Sequence, residues 1–83
     1  MSELARDPRQ LGTIIRRARK KRALSQGDLG AKAGLRQETI SLVESGNPAV
    51  KLETLLAIMA ALDLEFRIAS RSQDWHQDIE SSF

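Results

Sequence analysis

Gln37, Glu38 and Ser41 fall on one side of a short segment whose apolar residues, Ile40 and Val43, fall on the other. An amide, a carboxylate and a hydroxyl together hold donors and acceptors, which suits them to matching a hydrogen-bonding pattern. Leu42 shares their outward side. Bond-breaking chemistry has no comparable basis. Ser25, His76 and several carboxylates are present, but their spacing orders no nucleophile–base triad and no acid/base pair. There is no glycine-rich phosphate loop. With no cysteine and one histidine an ordinary zinc site lacks its ligands. The expectation is no enzyme, no metal and no cofactor.

Charge points to the partner of that polar face. Arg9, Arg16, Arg17, Arg19, Lys20, Lys21, Arg22, Lys32, Arg36 and Lys51 share their stretch with only Asp28, Glu38 and Glu44. Beyond it, Glu53, Asp63, Glu65, Asp74, Asp78 and Glu80 outnumber Arg67 and Arg71. The overall formal charge of +2 hides this division. A basic front half suits a polyanion, and an acidic back half faces something else. No apolar run approaches a membrane span, and the N-terminus has no apolar signal-peptide core. The expected location is the cytoplasm.

Four helical segments position these residues. Leu11, Ile14, Ile15 and Ala18 recur at helical spacing over about 9–21. Ser25 followed by Asp28 is a capping-box-like start for a second helix, which Gly34 ends. A third runs over about 36–45, with Gly46-Asn47-Pro48 as the turn after it. A fourth covers about 52–62, with Leu52, Leu55, Leu56, Met59 and Leu62 on one face. The period then changes: Leu64, Phe66 and Ile68 alternate with Glu65, Arg67 and Ala69, a strand pattern. Gly30, Ala33 and Gly34 are small where the second and third helices approach. A helix as short as the third fits the major groove of B-DNA, with its N-terminal side chains at base edges. RNA recognition would bring stacking aromatics, and the basic half has none. A protein-interaction face would also be richer in aromatics.

The run from Leu24 to Gly46, with Leu52-Glu53-Thr54-Leu55-Leu56 after it, resembles the helix-turn-helix of the Cro/phage-repressor (XRE) family over about residues 10–62. The strand pattern after it is most similar to the HipB-type antitoxins, in which such a strand joins two subunits. The resemblance implies an all-α, lambda-repressor-like bundle of about four to five helices, with one C-terminal β-strand pairing across a homodimer. It implies base contacts from Arg36, Gln37, Glu38 and Ser41, and phosphate contacts from Ser25, Gln26, Thr39, Asn47 and Lys51. Gln37 then suits adenine, Arg36 guanine or a phosphate, and Glu38 cytosine N4. Glu38 otherwise excludes wrong sequences or pairs with Arg36, and Ser25 is either a cap alone or also a phosphate ligand. Leu42 either touches a thymine methyl or packs towards the fourth helix. Arg19 and Glu44 match the family's structural ion pair. Gly27 and Gly30 depart from a good helix, and Lys51 stands where a Ser or Thr cap is usual.

The chain thus divides into an arm at 1–8, a DNA-binding domain with its dimerisation strand at 9–70, and an acidic tail at 71–83. A domain this small buries only about 60% of its unfolded surface, which favours association. The strand residues Leu64, Glu65, Phe66, Arg67, Ile68 and Ala69 are the expected dimer contact, because a lone strand leaves its backbone unpaired. In the tail, Trp75, Ile79 and Phe83 are spaced by four and offer a docking stripe for a partner. The expected function is a repressor that binds an inverted-repeat operator in duplex DNA. The resemblance makes it an antitoxin and autorepressor whose partner is a HipA-type serine/threonine kinase toxin. The alternatives are a free-standing XRE-type regulator and a helix-turn-helix protein-interaction module.

Overall fold

The computed structural model describes residues 3–71. Four helices follow one another: α1 (Pro8–Lys21), α2 (Gln26–Ala33), α3 (Gln37–Glu44) and α4 (Leu52–Ala61). Each contributes to one core of Ile15, Leu29, Ile40, Val43, Ile58, Met59 and Leu62. α3 packs on α2 and α1, and α4 packs on α2.

The helix ends follow from local chemistry. The Asp7 carboxylate accepts the Gln10 N–H at 2.7 Å, and Pro8 supplies the first helical residue without wasting a donor. α1 therefore begins one residue before the sequence pattern suggests, and Asp7 belongs to its cap rather than to a loose arm. At its other end Arg19, Lys20 and Lys21 sit in the last turn, on the negative end of the helix dipole. Ala23 then takes a left-handed φ of 56°, and Leu24 N–H returns to Arg19 O at 3.2 Å.

Two glycines let the helices approach. A Cβ on Gly12 would lie 2.5 Å from the Val43 carbonyl oxygen and 2.6 Å from that of Glu44. α1 crosses the end of α3 at that point. A Cβ on Gly30 would lie 2.6 Å from the Leu35 carbonyl oxygen. Gly30 costs α2 roughly 1 kcal/mol of helix propensity, and close packing of the turn into α3 offsets it.

One sequence expectation is corrected, and another cannot be met by one chain. Leu52 and Leu56 do not join the inward face of α4; both are exposed, and Ile58 is buried in their place. α4 is apolar on most of its circumference, so pattern alone does not decide which stripe turns inward. The strand at 64–69 does not form within the single chain. Leu64 N–H bonds Met59 O at 2.8 Å after a left-handed turn at Asp63. Glu65 to Arg71 then run exposed, outside any helix or strand. A ladder needs a second strand, and the described residues contain none. The tail stripe of Trp75, Ile79 and Phe83 lies outside the described residues.

Candidate nucleic-acid interface

Ser25 and Asp28 exchange hydrogen bonds at the start of α2. Asp28 N–H donates to Ser25 Oγ at 3.0 Å, and Ser25 N–H donates to Asp28 Oδ2 at 2.9 Å. The backbone donor, helped by the Ser25 hydroxyl, holds the Asp28 carboxyl below its ordinary value. The box occupies one donor of the first turn. The N–H groups of Gln26 and Gly27 have no intrahelical acceptor, and they sit at the positive end of the helix.

Gln37, the first residue of α3, lies beside that end of α2. A Cβ on Gly27 would fall 3.8 Å from Gln37 Oε1 and 3.7 Å from Ser25 Oγ. Ser25, Gln26, Gly27 and Gln37 thus converge where two helices begin. Their approach depends on the turn: Gly34 caps α2 at φ 73°, and Leu35 N–H bonds Gly30 O at 2.8 Å.

Arg36 caps α3 without a side-chain bond and is exposed, as are Gln37, Glu38 and Ser41. No ion pair joins Arg36 to Glu38, so the pairing alternative for Glu38 is not realised. Thr39 is half-buried beside Ile40. Asn47 Oδ1 accepts the Ala49 N–H at 2.8 Å and shapes the turn after α3. Lys51 is exposed at the start of α4 and caps nothing with its side chain.

The support behind this face centres on Glu44. Arg19 Nε and Nη2 donate to its two carboxylate oxygens at 2.6 and 3.0 Å, and Arg19 Nη1 donates to Leu24 O at 2.8 Å. Both side chains are more than nine-tenths buried. Glu44 holds the Arg19 guanidinium above its already high ordinary value. Gln26 Nε2 donates to the same carboxylate at 3.2 Å. The family resemblance implies the pair and a Gln26 that braces the recognition helix, but not that both meet on one carboxylate, because a side-chain contact between helices leaves no mark in local spacing. Arg17 pairs with Glu3 at 2.9 Å on the surface.

Two short helices joined by a tight turn, the second presenting a polar face, define a helix-turn-helix protein. The helix-turn-helix family model matches residues 15–68, and the chain belongs to that family, in its XRE type. Among curated proteins none matches the chain. Among solved structures, HipB in complex with an O2 20mer is 25% identical, with a TM-score of 0.80 over 87% of this chain and 100% of that one. A HipA–HipB–O2–O3 complex contains a chain 28% identical, at TM-score 0.77, covering 86% of this chain and 100% of that one. The restriction-modification controller protein C.AhdI from Aeromonas hydrophila is 34% identical, at TM-score 0.62, covering 66% of this chain and 83% of that one. No helix among the described residues is long and apolar enough to cross a membrane.

Proposed function

We propose that this protein is a homodimeric transcriptional repressor that reads an inverted-repeat operator, and that it is the antitoxin and autorepressor of a HipBA-like operon. One observation carries the DNA-reading part. Gln37 stands at the joint start of α2 and α3, exposed and beside the donors of Gln26 and Gly27. A helix N-terminus that takes a phosphate then sets the neighbouring carboxamide at a base edge. Arg36, Glu38 and Ser41 extend that reading along α3. Ser25, Thr39, Asn47 and Lys51 position the body on the phosphates.

Dimerisation is supported by exposed apolar surface. Leu52 and Phe66 are 65% and 44% exposed, and Ile68 is fully so. The segment 65–69 runs exposed with no ladder partner in its own chain, and the same segment of a second copy supplies one. Likeness to HipB over nearly the whole chain supports the antitoxin role, with a HipA-type kinase as partner and Trp75, Ile79 and Phe83 as its docking stripe. The 34% identity to a restriction-modification controller supports the second reading, a free-standing regulator.

Selection from a randomised duplex pool tests the DNA reading. An enriched inverted repeat, bound with an affinity that falls steeply with salt, is the expected result. Equal binding to all duplexes overturns it. Calorimetry against a HipA-type kinase encoded beside this chain separates antitoxin from free-standing regulator. Truncation after Arg71 is expected to weaken that binding and spare the operator.

A further inference from the structure

We infer that Leu42 is a specificity-determining residue that reads the 5-methyl group of a thymine. The inference rests on the reading of α3 as a recognition helix. Leu42 lies on the outward stripe of α3, one turn beyond Glu38 and next to Ser41. It is 49% exposed, whereas Ile40 and Val43 on the opposite side are buried. Leu42 is neither a core residue nor among the partly buried apolar residues that pad the core. An isobutyl group amid an amide, a carboxylate and a hydroxyl thus leaves about half of its surface open on the outward face.

Its backbone is held. The Leu42 carbonyl accepts from Ser45 Oγ at 2.9 Å and from Asn47 N–H at 3.1 Å. The side chain is therefore presented from a pinned last turn. Leu42 follows Glu38 by four residues, about 6 Å along the axis of α3, less than two base-pair steps, so in the major groove it sits over the bases next to those that Glu38 faces. In that groove the one apolar feature of a base pair is the thymine methyl. Leu42 matches it in chemistry, while Gln37 and Glu38 match donors and acceptors.

The test uses the full chain and the duplex enriched from a randomised pool. Each thymine is replaced in turn by deoxyuridine, which removes the methyl and keeps every hydrogen-bonding group. For wild type, deoxyuridine at one thymine per half-site is expected to weaken binding about fourfold, the worth of burying one methyl. In Leu42→Ala that dependence is expected to disappear, with helical circular dichroism retained because the residue lies outside the core. Leu42→Asn is expected to shift the base selected at that position. Methyl dependence that persists in Leu42→Ala, or a Leu42→Asn selection identical to wild type, overturns the inference and leaves the DNA reading standing. Failure to enrich any duplex overturns both.

Discussion

Glu44, the last residue of α3, holds the Arg19 guanidinium of α1 in two parallel hydrogen bonds and accepts a third from Gln26 of α2. One carboxylate thereby fixes the helix before the motif and both helices within it. The Gln26 end of that network is the N-terminal end of α2, the end proposed to face phosphate. Stability and the aim of the interface share these atoms. Arg19→Ala or Glu44→Ala is expected to cost about 3–5 kcal/mol, since each leaves one buried charge unpaired. Urea denaturation measures it. Arg19→Ala should leave the slope of binding against salt nearly unchanged in whatever fraction folds. A lower slope at unchanged stability would place Arg19 on DNA instead.

The capping box makes α2 sensitive to acid. Asp28 has its pKa lowered in the fold, so its contribution is complete above the ordinary value of 3.8 and fades as pH falls through the lowered one. Melting temperature is therefore expected to drop more steeply below about pH 4 in wild type than in Asp28→Asn. Parallel profiles for the two proteins would show that the box adds no proton linkage.

At Gly12 the added methyl of alanine meets two backbone carbonyl oxygens that cannot rotate away. Gly12→Ala is expected to destabilise by about 1–3 kcal/mol through overpacking, despite alanine's better helix propensity. Chemical denaturation gives the sign directly. A stabilised Gly12→Ala would mean that α1 and α3 are further apart than described.

The left-handed Ala23 predicts the opposite sign. Its φ of 56° costs an L-residue roughly 1–2 kcal/mol that glycine avoids. Ala23→Gly gives part of that back as unfolded-state entropy. A net gain in melting temperature is expected, and a loss would show that the Ala23 methyl packs usefully.

For the dimer, Phe66→Asp is expected to yield monomers in analytical ultracentrifugation where wild type sediments as a dimer. The monomer should keep its helical circular dichroism, because Phe66 lies outside the core. An unchanged dimer would remove 64–69 from the interface and leave Leu52 and Leu56 as its candidates.

Much of this protein is determined by local pattern. Ser25 with Asp28, Gly34, and the periodic Leu11, Ile15 and Ala18 announce helices and their ends through bonds made within a few residues, so one sequence suffices to find them. The Leu24 to Gly46 run carried the family because turn, cap and inward residues sit at fixed offsets. Tertiary structure decided what depends on distant neighbours. Gly30 reads as a weak point of α2 until the turn at Leu35 is brought against it, and nothing in the local pattern marks Gly12 until α3 lies against it. Glu44 gains its third hydrogen bond, from Gln26, only because α2 and α3 pack together. Leu52 and Leu56 look like core until α4 docks on α2 and turns them out, since burial is settled by what lies opposite a face. The alternation of Leu64, Phe66 and Ile68 describes a strand that one chain cannot complete, because the hydrogen bonds that define it belong to a second backbone.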